Sequence, residues 1–258
     1  MSSVLVTGAS RGIGKAIALR LARDGFNVGI GDIKTQSAAG QAVVREINEL
    51  GKRSAFVEMD VSVKDQVENA VDITSKTLGP FKGIVNNAGI HRFKTVLEST
   101  PDDFDKIFTV NVAGVLYGIQ AAARKFAEEG QKDGRIVNAC SVSGFRGHPM
   151  EGLYCGTKFA VRALTQTCAT ELGPLGVRIN SFAPGTVATD MWKEIDLEAA
   201  RRTGTSAGSH THAIESETAL GRKAYPEDIA GLTSFLFGKD SSFISGQCII
   251  IDGGRIFS

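Results

Sequence analysis

Several features that would tie this chain of 258 residues to a particular kind of partner are missing from it. Its 29 basic and 28 acidic side chains are interspersed and leave a net charge of only +1, so no long-range field gathers nucleic acid or an anionic bilayer. No uninterrupted apolar run approaches the ~18 residues of a membrane span, and the N-terminus runs into VLVTGA without the basic segment and cleavage site of a leader. The expectation is a cytoplasmic protein with neither a nucleic-acid nor a membrane partner. The four cysteines, Cys140, Cys155, Cys168 and Cys248, show no metal-ligand pairing at short spacing and fall in apolar or helical context. That reads as reduced core thiols and no metal. Internal repeats, interdomain linkers and low-complexity tails are also lacking.

What is present is a regular alternation. β-branched runs near 4–6, 27–31, 54–58, 83–86, 134–140, 177–183 and 248–252 are separated by segments of helical periodicity. That order predicts an α/β fold of Rossmann type, a doubly wound seven-stranded parallel sheet with helices on both faces. The length and a hydrophobic content of 42% suit one domain over residues 1–258. The first helix reads from IGKAIALRLARDG, with Gly25 as its stop. Two longer helices are expected over about 102–129, opened by Thr100-Pro101, and about 152–172. Between Thr189 and Tyr225 the pattern weakens into a polar stretch too long for an ordinary connection, either a lid or a mobile insert.

The first strand empties into TGASRGIG, residues 7–14, which opens a helix. Glycines at such a junction let backbone approach a pyrophosphate, whose charge the helix N-terminus favours. The spacing of Gly8, Gly12 and Gly14 departs from the common G-x-G-x-x-G, and in this strand–turn–helix context it predicts a dinucleotide site that includes Ser10, Arg11 and Ile13. Asp32 stands 24 positions after Gly8, where an acid accepts hydrogen bonds from an adenosine ribose and repels a 2′-phosphate. Arg11 argues the other way, but no arginine follows Asp32 directly, so NAD(H) is expected over NADP(H).

Tyr154 and Lys158, in YCGTK, are four apart and share one face of a helix. A phenol ionises near pH 10 in water. An ammonium ~4 Å away is worth about 4 kcal/mol at an effective dielectric near 20, enough to bring a phenol toward neutrality. Any amphipathic helix can carry such a pair, so the rest of the chain decides.

With TGASRGIG, NNAG at 86–89, Asn111, Ser141 and YCGTK in order, the sequence resembles the short-chain dehydrogenase/reductase family over essentially its whole length. Ser141 precedes Tyr154 by 13 residues, the family's spacing, which selects it over Ser143. The resemblance implies that Tyr154 passes a proton to or from the substrate oxygen and Ser141 holds that oxygen. It implies that Lys158 lowers the phenol's pKa and binds the nicotinamide ribose, and that Asn111 keeps a water in a proton relay. It further implies an adenine contact at Asp60 and Val61 and a ribose-side segment at Asn87, Ala88 and Gly89. In PGTVATDM, residues 184–191, it implies a carboxamide site made by Pro184, Gly185, Val187 and Thr189.

Within the family the chain looks most like acetoin (diacetyl) reductases and butanediol dehydrogenases, through GIQAA at 118–122, VNACS at 137–141, KFAVRALTQT at 158–167, MWKEID at 191–196 and IDGGRIF at 251–257. Trp192, the only tryptophan, either closes a small apolar pocket or anchors the lid; Val142 and Phe145 are further candidates for the pocket. The family mechanism needs no histidine. His210 and His212 are expected in a solvated mobile loop, and His148, between Gly147 and Pro149, near where substrate enters. Between Leu197 and Glu217, where residues 204–208 give little hydrophobic anchoring, the chain departs from the butanediol-type pattern, which leaves room for a larger carbonyl, a polyol or sugar, or a secondary metabolite as substrate. A non-catalytic dinucleotide-binding protein is the third alternative. The resemblance also implies a homo-oligomer, tetramer or dimer, formed through the two long helices.

Overall fold

The computed structural model describes residues 1–257. The run SVLVT forms β1 (Ser3–Thr7), wholly buried because parallel strands are covered on both faces. On one side of it lie β2 (Asn27–Asp32) and then β3 (Ser54–Glu58). On the other lie β4 (Phe81–Asn86), β5 (Gly134–Ala139), β6 (Val177–Pro184) and β7 (Cys248–Ile251). Every neighbouring pair is parallel, in the order β3-β2-β1-β4-β5-β6-β7. The winding reverses between β1 and β4, and the carboxyl ends of those strands open the crevice in which such sheets bind ligands.

Alternation along a strand sends neighbouring side chains to opposite cores. Val4 and Val6 join the core under α1 (Gly12–Arg23), α2 (Ser37–Glu49) and α9 (Pro226–Phe237). Leu5 joins the core under α3 (Lys64–Leu78), α5 (Gly114–Glu128) and α6 (Gly152–Leu172). The first helix ends at Arg23, and Gly25 turns away with a φ of 107°, a left-handed backbone that suits glycine.

The helix expected over 102–129 starts as α4 (Pro101–Phe108). The Thr100 hydroxyl accepts the Asp103 N–H at 3.2 Å while the Asp103 carboxylate accepts the Thr100 N–H at 3.2 Å, a reciprocal cap with Pro101 in the first turn. A π-helical turn, Thr109–Ala113, then joins it to α5. One widened turn of this kind marks functional sites in many helices, and here it holds Asn111. By length and composition Pro101–Glu128 is apolar enough to cross a membrane, although charged and amide residues break up any continuous apolar run. Its apolar side, with Val115, Ile119, Ala122 and Phe126, packs into the second core beneath the sheet.

The polar stretch after Thr189 is not a mobile loop. It folds as α7 (Asp190–Thr203) and α8 (Ser209–Glu217), so His210 and His212 are helical. A buried carboxylate supplies the order that apolar residues do not: Asp196 accepts the backbone N–H of Gly208 at 2.5 Å, and the N–H and hydroxyl of Thr211 at 2.8 and 2.7 Å. Burial pushes its carboxyl up, and the Thr211 and Gly208 hydrogen bonds outweigh that and hold it below the usual range.

Candidate active site

A cavity of about 690 Å³ runs from the glycine turn, past the ends of β4 and β5, to α7 and α8. The turn is shaped for close approach to backbone. Gly8 and Gly12 have φ of 63° and 54°, and a Cβ on Gly14 would stand 2.2 Å from the Gly8 carbonyl oxygen. Asn87 pins the turn to the exit of β4, donating to the carbonyls of Thr7 and Gly8 at 2.9 and 3.2 Å. The Thr7 hydroxyl, absent from the sequence-derived set, accepts the N–H groups of Asn87 and Ala88, each at 3.0 Å. Asp32 takes the N–H of Ser10 at 3.1 Å and of Ile33 at 2.9 Å, and it faces the cavity. This glycine cradle, with a carboxylate at the end of β2, fits a dinucleotide.

The remaining cofactor candidates divide clearly. Gly8, Arg11, Gly12, Ile13 and Gly14 line the cavity, whereas Ser10 does not: its hydroxyl is sealed from solvent without a partner. Arg11 is exposed, with a guanidinium nitrogen 3.9 Å from Asp190 at the start of α7. Asp60 and Val61, and the run Asn87, Ala88 and Gly89, lie on the wall. So do Pro184, Gly185, Val187 and Thr189. Thr189 caps α7 by accepting the Trp192 N–H at 3.3 Å.

The catalytic candidates converge from three elements. Ser141 leaves β5 in extended conformation and its hydroxyl accepts the Ser143 N–H at 3.1 Å, closing a single 3-10 turn. Lys158, buried on α6, donates to the Ala139 carbonyl at 2.8 Å, with its nitrogen 5.4 Å from the centre of the Tyr154 ring. Asn111 is buried and not on the cavity wall. Its carboxamide accepts the Ile90 N–H and donates to the Ile90 carbonyl, both at 2.8 Å, which fixes the segment after Gly89.

One electrostatic expectation is reversed. Tyr154 is only partly covered by surface area, yet dense protein surrounds it, and burial pushes its phenol above the ordinary value. The Glu151 carboxylate adds to that rise, and the Ser141 hydroxyl opposes it without prevailing. Lys158 is itself desolvated, and burial lowers its pKa.

Trp192 combines the two roles considered for it, lining the cavity while its indole N–H donates to Thr211 at 2.8 Å and its ring stacks on His210 at 5.6 Å. Val142 is on the wall. Phe145 is not: it lies under the Arg162 guanidinium at 4.0 Å. Sequence reasoning set His91 aside and passed over Glu151 and Phe93, all of which line the cavity. The His91 ring is 4.5 Å from that of Tyr154, and Glu151 Oε2 is 3.7 Å from His91 Nε2. The signal that could have found Glu151 is its place three residues before Tyr154, at the start of the same helix.

This fold, with a glycine turn at one end of the cavity and Ser141, Tyr154 and Lys158 at the other, defines a nicotinamide-dependent oxidoreductase; a family model described as short chain dehydrogenase matches residues 2–200, and the chain belongs to that family. It is 42% identical to the L-2,3-butanediol dehydrogenase of Corynebacterium glutamicum over 100% of both chains. It is 40% identical to a diacetyl reductase [(S)-acetoin forming] of Staphylococcus epidermidis, over 99% of this chain and 98% of that one. Among solved structures, a short chain dehydrogenase from Burkholderia cenocepacia in complex with NADP superimposes with a TM-score of 0.88 at 37% identity, covering 98% of this chain and 97% of the other.

Proposed function

We propose that the protein interconverts a small secondary alcohol and its ketone with NAD(H), acting on acetoin, diacetyl or butanediol. The observation that carries this reading is the convergence of Ser141, Tyr154 and Lys158 on one end of a cavity whose other end is the glycine cradle. The names of the relatives support the substrate class. When bound, the nicotinamide supplies or takes up the hydride. Tyr154 Oη gives the proton to the ketone oxygen or takes it from the alcohol. The Ser141 hydroxyl holds the substrate oxygen. Lys158 binds the ribose beside the nicotinamide, Val187 and Thr189 its carboxamide, and Asn111 orders the relay to solvent. Gly8 to Gly14 receive the pyrophosphate, Asp60 and Val61 the adenine, and Asn87 to Gly89 the adjoining ribose. Asp32 at the adenosine ribose supports NAD(H), because a carboxylate there repels a 2′-phosphate.

A polyol is the second reading, favoured by the polar wall of His91, His148 and Glu151. Residues 189–225 serve as the substrate lid. Phe104 and Phe159, 47% and 45% exposed on the two long helices, support a homo-oligomer formed through those faces.

Incubation with NADH and acetoin or diacetyl is expected to consume the near-ultraviolet absorbance of NADH. Tyr154→Phe should lose on the order of 10³ in kcat while retaining NADH affinity. Silence across a panel of small ketones despite tight NADH binding, or a variant with wild-type kcat, would overturn the reading. A higher kcat/KM with NADPH than with NADH would overturn the cofactor assignment alone.

A further inference from the structure

The cavity wall beside Tyr154 carries a carboxylate that the proton transfer does not use. Glu151 Oε2 accepts the Ser143 hydroxyl at 3.1 Å and lies 3.7 Å from His91 Nε2. Ser143 in turn donates its N–H to the Ser141 hydroxyl, and the His91 ring lies tilted against that of Tyr154, so the carboxylate adjoins both sides of the reaction centre. Its other oxygen, Oε1, accepts no hydrogen bond among the described residues. Nor is Oε1 among the polar atoms sealed from solvent without a partner, which are Ser10 Oγ, His91 Nε2 and His148 Nε2 among the described residues. Glu151 lines the cavity with its side chain only 13% exposed, so an oxygen without a protein partner is available to a ligand there.

A buried carboxylate that lacks one partner is a strong acceptor, and an acceptor alone when ionised. The groups that face it are His91 and His148, with Arg146 and Arg255 beyond them and the phenol of Tyr154 and the thiol of Cys155 on its own helix. Burial pushes the Glu151 carboxyl up, and the nearby His91 and His148 with the Ser143 hydroxyl outweigh that and keep it below the usual range, consistent with an ionised acceptor.

We propose that Glu151 Oε1 is a substrate-binding group that accepts a hydrogen bond from a hydroxyl on the carbon next to the one whose oxygen Tyr154 and Ser141 hold. The preferred substrates are then α-hydroxyketones in one direction and vicinal diols in the other. A simple ketone leaves the acceptor unpaired. This inference rests on the oxidoreductase reading of the same site and selects within it. A site built to hydrogen-bond a hydroxyl rejects analogues lacking one far more strongly than an apolar pocket rejects a missing methylene.

The test compares acetoin with butanone, which lacks only the hydroxyl, using wild-type protein and Glu151→Gln with NADH. Wild type is expected to favour acetoin by about tenfold or more in kcat/KM, the scale of a hydrogen bond to a charged group. Glu151→Gln should reduce that preference by about tenfold, through KM for acetoin more than through kcat. NADH affinity by fluorescence and the melting temperature establish that the variant is folded and loads cofactor. Equal losses for both ketones would overturn the proposal, since Glu151 would then act only through Tyr154. A second measurement needs no variant: the methyl ether of acetoin cannot donate a hydrogen bond, and wild-type protein is expected to treat it no better than butanone. Ether activity equal to that of acetoin would overturn the proposal. Wild-type protein that reduces neither acetoin nor butanone would instead defeat the underlying functional reading, a result distinct from activity without preference.

Discussion

The two ends of the cavity are built on opposite principles. The glycine turn between β1 and α1 is defined by backbone: three glycines, two of them left-handed, with Asn87 bracing the carbonyls of Thr7 and Gly8. The pair α7 and α8, the proposed lid, is defined by side chains, with Asp196 gathering three donors and Trp192 lying on Thr211 and His210. A site made of backbone restricts residue type at each position and leaves a spacing that can be read in a sequence. A site made by one side chain reaching another 15 positions away, as Asp196 reaches Thr211, leaves no local period to read.

The comparison implies unequal tolerance. Gly14→Ala is expected to do the most damage, because its Cβ would meet the Gly8 carbonyl oxygen at 2.2 Å and the Asn87 amide nitrogen at 2.6 Å, so backbone has to move. A displacement of that size can cost on the order of 10². NADH affinity, measured by fluorescence titration, should weaken by about that factor. An alanine variant that binds NADH as wild type does would show that the turn has slack, and the contrast with the lid would lose its first half.

What could be read in advance follows the same division. The alternating apolar runs announced the parallel sheet, Gly25 the end of α1, and Thr100-Pro101 the start of α4, because each is a local backbone requirement. Ser141, Tyr154 and Lys158 were legible through spacing and resemblance, and the structure brings them to one wall. The π-helical turn at Asn111 left no trace, since one extra residue in a turn barely disturbs a helical period. The fold of α7 and α8 was missed because their order comes from a buried carboxylate, in a segment whose polar residues read as solvated. Glu151 was passed over and His91 set aside for a related reason: their partners, Ser143 and Tyr154, become neighbours only when β4, β5 and α6 meet.

The lid should fail more gently than the turn, and selectively. Asp196→Ala leaves the N–H groups of Gly208 and Thr211 and the Thr211 hydroxyl without their acceptor, which loosens α8 and frees Trp192 from its hydrogen-bonded partner. The expected result is a rise in substrate KM of about tenfold, the loss of a hydrogen bond to a charged group, with NADH affinity close to wild type. Limited proteolysis should cut faster near 204–209. An unchanged KM would mean that the helices hold their place without the carboxylate.

The smallest effect belongs to the ion pair on the outside of the lid. Arg202, on α7, meets Glu98 at 2.8 Å across the turn that precedes α4, and also pairs with Glu198 at 2.6 Å. The geometry resembles a strap from the lid to the body of the protein, yet Glu98 is half exposed, and solvent and salt screen such pairs until little remains. Arg202→Ala is therefore expected to change KM by less than about twofold at physiological ionic strength. The decisive comparison is with Asp196→Ala under identical conditions. If the arginine variant raises KM as much as the aspartate variant does, the lid is fastened from outside by the turn before α4 and not from within by Asp196. The contrast between a backbone-built end and a side-chain-built end would still stand, but the side chain that builds the second end would be Arg202.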